Sequence, residues 1–108
     1  MAEAGNDNDL ALRVSGIDHA IEPGRCYRIG RGTQCELHLA DAELAICQAQ
    51  VWLQDGELRF RQLAELPATL WNGMPATEAA LRIGDCLRFG EHEVRVVRDL
   101  GLALIVPD

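Results

Sequence analysis

Three histidines and four cysteines are the side chains of this 108-residue chain that most often bind metals or take part in catalysis. Neither set has the spacing of a metal site, because the histidines are far apart and no two cysteines form a Cys-x-x-Cys pair. We therefore expect surface or half-buried histidines and reduced, mostly buried thiols. These residues are His19, His38, His92, Cys26, Cys35, Cys47 and Cys86.

Sequence motifs of catalysis are absent as well. There is no Gly-x-Ser-x-Gly element and no glycine-rich phosphate loop ahead of a helix. Aspartate and glutamate are abundant, with 17 residues in all, but they are scattered over the polar faces of predicted strands. We therefore predict that the protein is not an enzyme, and we expect no catalytic, metal-binding or cofactor-binding residues.

The composition is that of one soluble globular domain, with 48% hydrophobic and 25% charged residues. The net charge of −7 disfavours nucleic acids and anionic membranes as partners, since both attract basic surfaces. Residues 1–9 are polar and acidic, and no segment approaches the ~20 apolar residues of a membrane helix. We expect a cytoplasmic domain, without a signal peptide, whose partners are proteins.

Short runs of alternating apolar and polar residues extend along most of the chain. Leu10, Leu12 and Val14, for example, alternate with other residues and predict a strand with one buried face. Pairs such as Asp55-Gly56 and Asn72-Gly73 predict tight turns between such strands. About ten or eleven short strands of this kind indicate an all-β protein, an antiparallel β-sandwich.

The same pattern divides the chain into three parts. Residues 1–8 predict a disordered N-terminal tail. Residues 9–98 predict the sandwich, and residues 99–108 a terminal strand or a linker. Within the sandwich, residues 41–47 are compatible with one helical turn or with a loop.

Four elements, in order, resemble a forkhead-associated (FHA) domain. Residues 28–31 (Arg-Ile-Gly-Arg) resemble the family's Ile-Gly-Arg element, and residues 36–41 resemble its strand ending in Leu-x-Asp. Residues 71–73 (Trp-Asn-Gly) resemble its Asn-Gly turn, and residues 81–90 its closing Leu-x-x-Gly-Asp-x-Leu-x-apolar-Gly element. The resemblance extends roughly over residues 10–97 and implies the FHA β-sandwich, which usually binds phosphothreonine peptides.

The segment that would bind phosphate departs from the FHA pattern. The family's Val-Ser-Arg-x-His segment aligns with residues 44–48, so Ala45 replaces the serine and Ile46 replaces the arginine. Gln48 replaces the histidine that would brace the loop. Pro67 stands where the family has the asparagine that contacts the peptide backbone.

Arg31 is the one residue of the family's phosphate cluster that remains. Strong phosphate binding needs several converging charge-assisted hydrogen bonds. One exposed arginine supplies about 1 kcal/mol, whereas micromolar binding requires about 8 kcal/mol. We therefore predict a phosphate-independent protein–protein interaction module. The alternative is a phosphothreonine-binding signalling domain that uses Arg31 with Thr33 or with backbone amides of the loop.

A narrower resemblance is to the cytoplasmic domain of the inner-membrane ring protein of bacterial type III secretion systems. Residues 12–16 resemble that family's apolar strand followed by Ser-Gly, and residues 41–45 resemble its acidic residue followed by a short Leu-Ala segment. The resemblance implies a scaffold that contacts neighbouring ring subunits or cytoplasmic secretion components, with homo-oligomers in the full assembly. It also implies the cytoplasmic part of an inner-membrane protein, with a membrane span after Asp108.

Some side chains have more than one interpretation. Arg31 is a remnant phosphate ligand, a partner of an acid such as Glu43, or simply solvated. Trp71 is predicted at the same end of the fold as Arg31, packed under the loops rather than in contact with a partner, and Asn72 is predicted to form a type I′ turn. Trp52 is either packed on the sandwich or exposed to a partner. The candidate binding residues are Arg31, Thr33, Ala45, Ile46, Gln48, Trp71 and Asn72.

Overall fold

The computed structural model describes residues 10–99, which form two packed β-sheets. Eleven strands are present in this part of the chain, as the alternating pattern predicts. They are β1 (Leu10–Val14), β2 (Ile17–Ile21), β3 (Cys26–Gly30), β4 (Leu37–His38), β5 (Ala49–Gln54), β6 (Glu57–Gln62), β7 (Thr69–Trp71), β8 (Met74–Pro75), β9 (Glu78–Leu81), β10 (Cys86–Phe89) and β11 (His92–Arg98).

The strands are divided between two sheets, as in a β-sandwich. One sheet has six strands in the order β2-β1-β11-β10-β7-β8, and the other has five in the order β4-β3-β5-β6-β9. The strand pairs are antiparallel except for β3 with β4, which is parallel. The all-β sandwich predicted from the sequence is therefore confirmed.

The core lies between the two sheets and is built from the predicted apolar faces. Leu10, Leu12 and Val14 of β1 are all buried, as the alternation predicts. Phe60 and Phe89 are 1% and 0% exposed and are the largest fully buried side chains. Burial of each such side chain stabilises the fold by about 1.5–3 kcal/mol.

The connections between the strands lie at two opposite ends of the sandwich. At one end β3 stops and β5 starts, and Gln48 N donates to Ile29 O at 2.7 Å. At the other end Leu10 of β1 pairs with Arg98 of β11, so the described chain enters and leaves the sandwich side by side. We call residues 30–36, 39–48, 63–68 and 90–91 the loop end, and residues 55–56, 72–73 and 82–85 the far end.

The predicted Asn-Gly turn is present at the far end. Asn72 has a φ of 52° and Gly73 a φ of 88°. Positive φ at both central residues is typical of the type I′ turn, whose twist matches that of the flanking strands. The turn joins β7 to β8, as predicted.

The structure decides one alternative that the sequence left open and corrects one expectation about the cysteines. Residues 41–47 form a loop with turns and no helix. Within residues 10–99 all four cysteines are free, but Cys26 is exposed and only Cys35 is fully buried, so the expectation of mostly buried thiols is wrong.

The predicted tail, residues 1–8, and residues 100–108 of the predicted terminal segment lie outside the described part. No helix in residues 10–99 is long and apolar enough to cross a membrane.

One carboxylate holds the far end together. Asp85 Oδ2 accepts hydrogen bonds from Trp71 Nε1 and from Arg82 N, both at 3.0 Å, and its Oδ1 accepts one from Asn72 Nδ2 at 3.2 Å. Burial alone would raise the pKa of Asp85, but these three hydrogen bonds outweigh it and hold the pKa below its ordinary value. Asp85 therefore ties the β9–β10 turn to the β7–β8 turn.

We expect Asp85→Asn to lower the free energy of unfolding by about 1–2 kcal/mol at neutral pH, because the amide cannot accept all three bonds. Since the pKa of Asp85 is lowered on folding, its contribution is present above about pH 4 and is lost as the pH falls through the folded pKa. Urea unfolding followed across this pH range should show the variant converging on the parent protein at low pH.

Asp55→Asn is the matched control, because Asp55 lies in an exposed hairpin turn and asparagine accepts its φ of 54°. A deficit of Asp85→Asn that is unchanged at low pH would contradict the role given to the charged carboxylate.

Candidate functional site

The loop end is built on a close approach between two backbone segments. Arg31 N donates to Ala45 O and Gly32 N donates to Ile46 O, each at 3.1 Å, so residues 45–46 cross directly over the end of β3. A Cβ atom on Gly30 would lie 2.2 Å from Ile46 O. Only glycine leaves room for this crossing, which is a physical reason for the Gly-Arg element in the sequence.

Gln48 holds the loops of this end together from the inside. Its side chain is fully buried, and its Oε1 accepts a hydrogen bond from Ala45 N at 3.0 Å. Its Nε2 donates to Pro67 O at 2.8 Å, and its backbone oxygen accepts from Leu63 N at 2.9 Å. One residue therefore fixes residues 45–48 against residues 63–67. The bracing role that the FHA resemblance gives to this position is carried by a glutamine.

Arg31 uses part of its guanidinium on its own protein. Its Nε donates to Leu44 O at 2.8 Å, and the side chain is exposed. Within residues 10–99 it forms no ion pair, so of the three alternatives for Arg31 the pairing with an acid such as Glu43 is wrong. The hydrogen bond to the carbonyl of Leu44 orients the guanidinium of Arg31.

The donors that would complete a phosphate site around Arg31 are not supplied by its neighbours. Ala45 is half-buried and Ile46 is 48% exposed, and both present alkyl groups. The backbone N–H groups of Arg31 and Gly32 already donate to the crossing segment. Thr33 is exposed, and its hydroxyl makes no hydrogen bond within the described part of the chain. An anion at Arg31 would thus meet one guanidinium and the hydroxyl of Thr33, while the side chains at positions 45 and 46 offer it no donor.

Carboxylates surround the same loops. Asp41 Oδ1 accepts from Glu43 N at 2.9 Å, and its Oδ2 contacts His92 Nε2 at 2.6 Å. These two hydrogen bonds, the first above all, lower the pKa of Asp41. Glu43 and Glu91 line a crevice of about 410 Å³ together with Asp41. The remaining lining residues are Leu44, Leu66, Pro67 and Gly90. The local field therefore opposes the approach of a phosphate dianion.

Trp71 and Asn72 lie at the far end, so the prediction that places Trp71 beside Arg31 is wrong. β7 has only three residues and runs away from the loop end, because Thr69 pairs with Phe89 whereas Trp71 pairs with Leu87. Trp71 is half-buried and donates to Asp85. The structure therefore brings five of the seven candidate residues together. They are Arg31, Thr33, Ala45, Ile46 and Gln48.

Trp52 packs on the sandwich, which is the first of its two alternatives. It is half-buried on β5, with the guanidinium of Arg61 5.8 Å from the centre of its ring. Its Nε1 donates to Gln54 Oε1 at 3.1 Å. These contacts belong to the outer face of the five-stranded sheet and do not reach the loop end.

Sequence reasoning missed the residues that give the loop end its surface. Leu66 is 79% exposed and Leu63 is 44% exposed, both in the segment after β6. Two leucines that follow a regular strand and precede Pro67 break the apolar–polar alternation. That break was the available signal.

We expect Gln48→Leu, which keeps the volume but removes the polar contacts, to lower the free energy of unfolding by about 2–4 kcal/mol. The reason is that Ala45 N–H and Pro67 O would stay buried without these partners. Chemical denaturation measures the effect. Gln50→Leu, two residues further along the chain on β5 and half-buried, should change stability by less than about 1 kcal/mol. Equal effects of the two substitutions would refute the bracing role.

We expect Gly30→Ala to destabilise the protein by about 2–3 kcal/mol, since the new methyl meets a backbone carbonyl. Gly32→Ala is the matched comparison. Its methyl would meet the Gln34 and Ile46 side chains, each 2.7 Å from the Cβ position, and side chains can move aside. Its cost should be about 1 kcal/mol or less. Thermal unfolding of the two variants side by side tests this order, and the reverse order would count against the backbone crossing.

No protein-family model matches the chain, and no curated protein matches its sequence. Solved structures do. An FHA domain from Chlamydia trachomatis superposes with a TM-score of 0.77 at 17% identity, covering 82% of this chain and 96% of that one. An FHA domain from Arabidopsis thaliana gives 0.76 at 23% identity, covering 94% and 95%, and one studied for phosphothreonine-dependent interactions gives 0.76 at 24%, covering 82% and 95%. These likenesses show that the chain has the fold of an FHA domain.

Proposed function

We propose that this domain is a protein–protein interaction module that works without phosphate. The observation that carries the proposal is the isolation of Arg31. Its Nε is bonded to Leu44 O, and the crossing segment offers it the side chains of Ala45 and Ile46 in place of donors. A single exposed arginine supplies about 1 kcal/mol, far below the ~8 kcal/mol of micromolar binding.

The framework of the loop end is nevertheless intact. Gly30 allows the crossing of residues 45–46, and Gln48 fixes the loops to one another. One of the solved structures with this fold was studied for its phosphothreonine-dependent interactions, so the fold can present a protein-binding surface. The proposal is that this chain keeps such a surface and has exchanged its phosphate contacts for others.

The finer proposal is a scaffold domain of a bacterial type III secretion inner-membrane ring, placed in the cytoplasm. Its support is the resemblance of residues 12–16 and 41–45 to that family, together with the incomplete phosphate site. In this proposal the partners are neighbouring ring subunits or cytoplasmic secretion components, and the domain forms homo-oligomers within the ring. A membrane-spanning segment encoded after Asp108 would support it, and a kinase or helical domain there would contradict it.

Phosphothreonine binding is the second candidate, and the exposed guanidinium of Arg31 together with the exposed Thr33 is the observation in its favour. Against it stand the backbone amides of Arg31 and Gly32, which are already hydrogen-bonded, and the carboxylates nearby.

We expect a phosphothreonine peptide library to show no binding tighter than about 1 mM, which corresponds to about 4 kcal/mol. Fluorescence anisotropy measures this directly. Arg31→Ala should bind the protein partners of the domain as well as the parent does, because Arg31 makes no contact that the proposal requires.

The matched control restores the missing donors through Ala45→Ser combined with Ile46→Arg, and this variant should gain measurable phosphopeptide binding. Saturable micromolar binding by the parent protein that disappears in Arg31→Ala would overturn the proposed function.

A further inference from the structure

We infer that the loop end docks an unphosphorylated segment of a partner protein in which an apolar side chain is flanked by lysine or arginine. The inference rests on the proposed function and deepens it, because it names the chemistry of the partner. Its docking surface consists of Leu66, which shares a crevice with the carboxylates of Glu43 and Glu91, and of Ile46 and Leu63 on the two loops that Gln48 joins.

Exposed apolar side chains concentrate at this end. In the described part of the chain six large hydrophobic residues are exposed, and three of them lie on the two loops that Gln48 joins. Leu66, at 79%, is the most exposed of the six. Large exposed apolar groups that cluster mark interaction sites more often than isolated ones. The six residues are Ile17, Ile46, Leu63, Leu66, Met74 and Ile83.

The surface is held rigidly. Ile46 lies on the segment that crosses over the end of β3, and its backbone oxygen accepts a hydrogen bond from Gly32 N at 3.1 Å. Leu63 N donates to Gln48 O, and Gln48 Nε2 donates to Pro67 O, next to Leu66. A preformed surface loses less conformational entropy on binding than a flexible loop.

The charges around the surface select a cationic partner. Glu43 and Glu91 line the crevice beside Leu66 and have no ion pair within residues 10–99. Asp41 in the same crevice contacts His92, and no lysine or arginine is among the residues that line this crevice. Exposed carboxylates add little affinity, but they steer a basic segment and disfavour acidic ones.

The same charges separate this occupant from others. A phosphorylated segment brings negative charge to Glu43 and Glu91, and nucleic acids or anionic membranes do so as well. A neutral apolar segment would fill the surface around Leu66 but would leave the carboxylates unused. A basic-apolar segment is the occupant that matches both halves of the surface.

The first experiment selects, from a library of short unphosphorylated peptides, those that bind the full 108-residue protein. We expect enrichment of leucine, isoleucine or phenylalanine next to lysine or arginine. NMR titration with the selected peptide should shift the amide signals of residues 43–46, 63–66 and 90–91. Enrichment of acidic residues, no enrichment, or shifts confined to another surface would overturn the inference while leaving the proposed function standing.

The second experiment compares variants. Leu66→Ser should lower the affinity for the selected peptide about tenfold. Met74→Ser should leave it unchanged, since Met74 is 67% exposed but belongs to the turn at the far end. Both side chains are exposed, so neither substitution threatens folding. Equal affinities of Leu66→Ser and the parent protein would refute the docking surface.

Two double variants test the role of the carboxylates. Glu43→Gln combined with Glu91→Gln should weaken binding about threefold at low salt and flatten its salt dependence. Asp55→Asn combined with Glu78→Gln removes the same charge elsewhere and should do neither. Saturable micromolar binding of a peptide from the phosphothreonine library that is lost in Arg31→Ala would contradict the inference and the proposed function together.

Discussion

The loop end depends on one buried carboxamide. Gln48 is fully enclosed, yet its side-chain oxygen and nitrogen and its backbone groups all have partners, which lie in three separate segments of the chain. A buried polar group of this kind is stabilising only when every bond is made, so the positions of the three segments are mutually fixed. The exposed side chains of Ile46, Leu63 and Leu66 take no part in these bonds.

This separation explains how a fold can keep its loops and exchange what they bind. At positions 45 and 46, the close approach at Gly30 and the bonds of Gln48 involve backbone groups rather than side chains. Ala45 and Ile46 therefore set the chemistry of the surface without their side chains entering these bonds. The fold is evidence about shape, and the surface side chains are evidence about partners.

Much of the fold follows from local patterns in the sequence, and much of the site does not. The alternation of β1 and the turn at Asn72 are properties of neighbouring residues, so they were predictable. The position of Trp71 depends on the direction of a three-residue strand, which no local pattern shows. The bond from Arg31 to Leu44 O also escaped prediction, because sequence gives the charges of nearby acids but not the position of a carbonyl. Leu66 was missed because exposure is a property of the folded surface.

The pairing of Leu10 with Arg98 has a mechanical consequence. β1 and β11 are antiparallel neighbours whose free ends lie side by side, so a force that separates the two ends acts along the hydrogen bonds of their ladder. Such a load opens the bonds one after another, as a zipper opens, rather than shearing them all at once. Under tension the domain would yield first at these two strands, while Gln48 and its loops at the opposite end would carry the load last.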